Sequence, residues 1–160
     1  MKRSDPGLPR PEYPRPMVQR DRWLNLNGRW DFCANTEEFP GQWKPGEAWP
    51  SKKSKHITVP YPPGSQASGV SWSEPSSIVW YRCVFDVPDW TEPGLLLNIG
   101  ASDYVTDVFI NGHHVCLHIG GYSPIQCAIQ DFVIERDNEL IIQVTDTDSW
   151  QQPRGKQAGD

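Results

Sequence analysis

Asn111-Gly112, set between two runs of alternating apolar residues, constrains this chain more than any other feature. Both central positions of a type I′ turn need positive φ, which Asn and Gly tolerate. The pair therefore ties the run Tyr104, Thr106, Val108 and Ile110 to a return strand through Val115 and Leu117. The unit spanning 100–132 continues in Gly120-Gly121-Tyr122-Ser123-Pro124. Its two glycines permit conformations that a Cβ resists, and Pro124 sets the direction of the next segment. Long helices are excluded by the rest of the chain. Sixteen prolines, thirteen glycines and eight tryptophans punctuate it, and no window keeps a 3.6-residue apolar period for three turns.

Further strands follow from the same alternation. After the turn at Asn27-Gly28, Trp30 and Phe32 point inward as the first strand begins. Residues 34–54 read as a loop, and 56–60 form a short strand with Ile57 and Val59 on one face. The stretch 78–87 is the longest candidate; apolar residues on both of its faces predict a central strand. Strands over 95–99 and 124–129 come next, and after a turn at Asp137-Asn138 the residues Leu140, Ile142 and Val144 alternate in the last one. About eight short strands at fairly regular spacing predict an all-β sandwich of jelly-roll type. The expected division is an extended or disordered arm over 1–20, the jelly-roll sandwich over 21–148 and an exit loop over 149–160.

Charge and composition limit the partners. Fifteen basic residues against twenty acidic ones give a net charge of −5, with neither sign gathered into a block, which argues against nucleic acid. No segment approaches the roughly 20 apolar residues of a membrane span, and no signal-peptide core is visible, so a cytoplasmic location and no membrane partner are expected. The four cysteines, Cys33, Cys83, Cys116 and Cys127, read as small buried hydrophobes, with a disulfide or a zinc site as the alternatives. His114, Cys116 and His118 alternate along one strand, which raises a metal reading. Asp146 and Asp148 fall short of the 6 to 8 oxygen ligands that calcium usually takes. Neither set earns an assignment: no metal and no cofactor are expected.

Several segments, taken in order and spacing, carry a resemblance. They are Trp-Leu-Asn-Leu-Asn-Gly-Arg-Trp-Asp-Phe over 23–32, Val59-Pro60, Val79-Trp80-Tyr81-Arg82, Asp103-Tyr104, Asn111-Gly112, His118 with Gly120-Gly121-Tyr122, and Pro153-Arg154-Gly155-Lys156-Gln157. From about residue 10 to 157 the chain resembles the N-terminal sugar-binding domain of glycoside hydrolase family 2, the family of β-galactosidases, β-glucuronidases and β-mannosidases. The resemblance implies a galactose-binding-like jelly roll. It also implies downstream immunoglobulin-like and (β/α)₈ barrel domains, the barrel holding both catalytic glutamates.

A retaining glycosidase needs two carboxylates roughly 5 to 5.5 Å apart. The acids of this chain, such as Asp103, Asp107, Glu135, Asp146 and Asp148, are scattered, so no catalytic residue is assigned and no activity is expected of the chain alone. The expected function is a non-catalytic sugar-binding accessory domain that positions the barrel and helps shape its pocket. A free-standing carbohydrate-binding module and a truncated fragment without its own function are the alternatives. By the resemblance, the loop over 61–77 leans toward the barrel: Trp72 would stack on a sugar ring, and Gln66 and Glu74 would bond hydroxyls. The plainer reading is an exposed linker in which Trp72 covers the sandwich edge. Trp23, Trp30 and Trp80 read as core, and Phe109 as an outward ring available to a further domain. In the family the 153–157 stretch leads into another strand. The sandwich is therefore expected to lack its final strand, leaving an open edge that invites self-association.

Overall fold

Strands β3 (Ile78–Phe85) and β8 (Asn138–Thr145) have apolar side chains on both faces, and each is hydrogen-bonded to neighbours on both sides. They form the centre of an antiparallel six-stranded sheet with the order β2-β1-β3-β8-β5-β6. Its other members are β1 (Gly28–Ala34), β2 (Lys55–Val59), β5 (Val105–Ile110) and β6 (His113–Ile119). Two short strands, β4 (Leu96–Ile99) and β7 (Ile125–Ala128), make a second, two-stranded sheet. This architecture comes from a computed structural model, which describes residues 7–15, 17, 20–34, 46–50, 54–71, 76–89 and 94–147. The eight-strand sandwich read from the sequence is what is found, with strand ends shifted by a residue or two. The exit loop over 149–160 lies outside the described residues.

The core fills the space between the sheets. Trp30, Phe32, Ile57, Val108, Ile110 and Leu140 on the large sheet meet Leu97, Ile125 and Cys127 on the small one. Burying a side chain of this size stabilises by about 1.5–3 kcal/mol. One covalent link crosses between the sheets: Cys116 on β6 is disulfide-bonded to Cys127 on β7. That corrects the reading of all four cysteines as plain hydrophobes, which holds for the free and buried Cys33 and, half-buried, for Cys83. The pairing was hidden because it depends on how β6 and β7 face each other across the sandwich, and spacing along the chain does not report that.

The 104–117 hairpin forms around Asn111 (φ 51°) and Gly112 (φ 81°), the two positive φ values that a type I′ turn requires. Asn111 does more than turn. Its Nδ2 donates to the Phe132 carbonyl at 2.8 Å and to Asn138 Oδ1 at 3.0 Å, and its Oδ1 accepts from the Glu139 N–H at 2.9 Å. Asn138 is itself fully buried. It accepts from the Ile134 N–H and donates to the carbonyls of Ile134 and Phe85, so no part of its amide is left dry and unpaired. The hairpin is irregular at one point. Val108 faces Cys116 and Phe109 faces His114, which leaves Val115 as a β-bulge without an opposite residue.

Before β1, residues 7–15 run beside 23–28. Asn25 Nδ2 donates to the Arg10 carbonyl at 2.9 Å, Asn27 Nδ2 to that of Pro9 at 3.2 Å, and Tyr13 meets Trp23 edge-on at 5.0 Å between ring centroids.

Candidate functional site

The residues nominated for ligand binding lie on the connection from β2 to β3. After Val59 the chain closes a compact turn in which the Gly64 N–H donates to the Val70 carbonyl at 3.0 Å. A short 3₁₀ helix, Gln66–Ser68, is capped by Ser65, whose Oγ accepts from the Ser68 N–H at 3.2 Å. Ser68 and Val70 are buried, and Val70 joins the main core. This half of the loop thus has structure of its own. A serine-capped turn around one buried valine is too short to leave a periodic signal. Gln66 sits exposed at the start of the helix. Trp72 and Glu74 lie outside the described residues.

A different cluster occupies the outer face of the large sheet, the face turned away from β4 and β7. Register places His56, Asp31, Arg82, Ile141, Phe109 and His114 in one row across six strands. Arg82 anchors it. Its Nε donates to Glu139 Oε1 at 2.6 Å and its NH1 to Asp31 Oδ2 at 2.8 Å, while His56 Nδ1 stands 3.2 Å from Asp31 Oδ1. Trp49 lies over the guanidinium at 5.9 Å. Desolvation works against the Arg82 charge, but hydrogen bonds and charge from Glu139 and Asp31 outweigh it and hold the group more firmly protonated than usual. Both carboxylates are committed to one cation. They are an ion-pair triad and do not form an acid and nucleophile flanking an open cleft.

Of the acids named from the sequence, Asp107 pairs with His114 at 2.8 Å, Asp103 packs against Gly121, Glu135 is exposed beside Arg136, Asp146 follows β8 with its N–H on the Ser77 carbonyl, and Asp148 lies outside the described residues. A Cβ at Gly121 would come within 2.6 Å of the Asp103 carboxylate, so a larger residue there would have to displace the Asp103 side chain. The bulge at Val115 also corrects the reading of His114, Cys116 and His118 as one strand face. His114 turns outward against Asp107 and the Phe109 ring, Cys116 turns inward to Cys127, and His118 lies 3.2 Å from Ser123 Oγ. Among the described residues, no group of three or more His, Cys, Asp or Glu is placed to hold a metal ion.

Phe109 is not an idle outward ring. It packs with Trp49 and Ile78 against the buried Cys33, Trp80 and Ile141 on the outer face. The tryptophans assigned to the core are found there or near it, with Trp30 and Trp80 buried and Trp23 half-buried. Neither free thiol is poised as a nucleophile. Burial, then the nearby Asp31 charge, raises Cys33 from 9.0 to about 11, and burial raises Cys83 to about 11 despite the opposing pull of Arg82. At neutral pH each would be thiolate only about one part in ten thousand. The Arg82 triad and the Asp107–His114 pair escaped the sequence reading because both are cross-strand. Alternation puts those residues on one face, but only register makes them neighbours.

No family model matches the chain. Curated relatives do. The chain is 32% identical over 133 residues to the β-glucuronidase of Felis catus, covering 76% of this chain and 20% of that protein. It is 26% identical over 132 residues to the β-glucuronidase of Paenibacillus borealis, covering 79% and 22%. Among solved structures, the Faecalibacterium prausnitzii β-glucuronidase superposes with a TM-score of 0.66 at 21% identity, over 84% of this chain and 22% of that one. The chain thus spans about a fifth of the length of the relatives it matches.

Proposed function

With the chain placed in glycoside hydrolase family 2, as the counterpart of the N-terminal domain of β-glucuronidases, we propose that it is a non-catalytic accessory domain of a retaining β-glycosidase acting on glucuronides. Its role is to position the catalytic barrel and to help shape the substrate pocket. The observation that carries this reading is the match of more than three quarters of the chain to one fifth of a glycosidase. The disposition of the acids supports it: Asp31 and Glu139 are bound to Arg82, Asp107 to His114, and Asp103 packs against Gly121. Gln66, exposed on an ordered turn, is the described residue offered to a sugar hydroxyl, with Trp72 and Glu74 as its proposed companions.

The test is a graft. The full chain replaces the matching fifth of the feline enzyme, and hydrolysis of a glucuronide is measured. Retained hydrolysis is expected, alongside none from the chain alone. A folded but inactive graft removes the proposal. Micromolar binding of glucuronate to the chain alone, measured by calorimetry, would favour a free-standing binding module, because one or two side chains on a sandwich flank give dissociation constants of about a millimolar or worse.

A further inference from the structure

The Cys116–Cys127 disulfide closes residues 116–127 into a ring, and Tyr122, 85% exposed, stands at its tip. Both cysteines are on end strands: β6 ends the large sheet, and β7 pairs with β4 alone among the described residues. No backbone ladder runs from β6 to β7, so the bridge is the covalent clasp on the seam between the two sheets. The other ties on the loop over 120–124 are slight. The Gly120 N–H donates to the Tyr104 carbonyl at 2.8 Å, Ser123 Oγ lies 3.2 Å from His118 Nε2 at the surface, and Gly121 sits against the Asp103 side chain. Glycine has the most conformational freedom to regain, so Gly120-Gly121 is where this loop gives way once its ends are not held. The large sheet depends less on the clasp, because β1, β3, β8 and β5 are each hydrogen-bonded to a strand on both sides.

The two half-cystines are not equally accessible: Cys127 is 3% exposed, whereas Cys116 is half-buried on the end strand. The free cysteines do not reach the bridge. Cys33 lies on the outer face, Cys83 is separated from β6 by β8 and β5, and both keep their protons at neutral pH, so an attacking thiolate has to come from outside. We propose that Cys116–Cys127 is a redox clasp: a small external thiol opens it and releases the loop over 120–124, while the six-stranded sheet stays folded. The external thiolate attacks Cys116 Sγ, the S–S bond breaks, and Cys127 leaves as a thiolate that takes a proton from water. A second external thiolate then attacks the reagent's own sulfur in the mixed disulfide and frees Cys116. Two electrons pass to the protein's sulfurs, and the two external thiols end as a disulfide. An external disulfide, such as oxidised glutathione, runs the exchange backwards and closes the clasp.

The test is nitrogen-15 relaxation on the full chain in both redox states, with the thiols counted by alkylation in each. In the oxidised chain the backbone order parameters of Gly120, Gly121, Tyr122 and Ser123 should match those of β3 and β8, about 0.85. With excess dithiothreitol the four loop values should fall below about 0.6 while those of β3 and β8 hold, and oxidised glutathione should restore them. Cys116→Ala with Cys127→Ala should show the low loop values with or without dithiothreitol; if that variant does not fold, the reduced natural chain decides. Loop order that is the same in the two redox states overturns the clasp, whether the shared value is high or low. A spectrum that collapses to that of an unfolded chain on reduction also overturns it, because the bridge would then be a requirement of the whole fold.

Discussion

Leu140 and Ile141 are neighbours in β8, both almost wholly buried, and they serve different structures. Leu140 points between the sheets, where it packs with Val108, Ile110 and residues of β4 and β7. Ile141 points outward into a small cluster with Cys33 and Trp80, roofed by Trp49 and Phe109. The inner face is held by apolar contact with a second sheet and tolerates any packing of suitable volume. On the outer face, pairs such as Arg82 with Asp31 and Glu139 exist only in one register. The same strands therefore carry a face that makes the fold and a face that records its alignment.

The largest effect should separate the two directly. Leu140→Ala is expected to cost about 2–5 kcal/mol in urea unfolding, the range for opening a cavity in a closed core. Ile141→Ala should fall at the low end of that range, about 2 kcal/mol, because a roof of side chains can settle where a second sheet cannot. Equal costs would mean that the outer cluster is a second core.

Next comes the link between the sheets. Cys116 and Cys127 close a loop with a sequence separation of 11, for which chain entropy gives about 3 kcal/mol. Reduction, or Cys116→Ser with Cys127→Ser, should lower stability by about that much, more than any single outer-face change. Alkylation counts the thiols: two should react in the unfolded, unreduced chain and all four after reduction. Cystines are rare in a reducing cytosol, so the thiol count of chain taken from its own cells also tests the cytoplasmic expectation.

These two faces were not equally legible. Alternation with a period of two is a local property, and it placed Trp30, Phe32, Val108, Ile110 and Leu140 inward before any pairing was known. Asn111-Gly112 specified its hairpin because few other residues accept two successive positive φ values. What stayed hidden depends on a second strand: the bulge at Val115 that sends His114 and Cys116 to opposite sides, the disulfide across the sandwich, and the three-way grip on Arg82. The nominated ligand residues fared differently again. Of Gln66, Trp72 and Glu74, only Gln66 falls within the described residues.

A smaller effect probes the register-bound face by itself. Arg82→Met keeps an apolar stem of similar length but leaves the half-buried Asp31 and Glu139 without the cation they share. Hydrogen bonds to charged groups contribute about 1.5–3 kcal/mol each, and partial exposure lowers that, so a loss of about 2 kcal/mol is expected. Adding Asp31→Asn and Glu139→Gln should recover part of it, since the uncompensated charge is the larger share of the damage. No recovery would mean that the stem packing against Trp49 is what matters.

The smallest effect is shared by both faces and shows only at high pH. Cys33 on the outer face and Cys83 on the inner one are each raised to about 11, chiefly by burial, and burial lifts Tyr81 to about 12. In all three the folded chain holds its proton after the unfolded chain has begun to lose it. The unfolded state therefore binds fewer protons between pH 9 and 12, and stability falls as pH rises. The contribution is whole below pH 9 for the thiols and below pH 10 for the tyrosine, and it is lost by the folded values. At pH 10 it should amount to about 1 kcal/mol per thiol, since one pKa unit corresponds to about 1.4 kcal/mol. Urea midpoints measured from pH 7 to 11 should be level to about pH 9 and then decline. Cys33→Ala and Cys83→Ala should each flatten that decline by a similar amount, despite facing opposite ways. A slope that Cys33→Ala leaves unchanged would show that the outer-face thiol is open to water, and that the roof over Ile141 and Trp80 is looser than the inner core by more than the substitutions alone reveal.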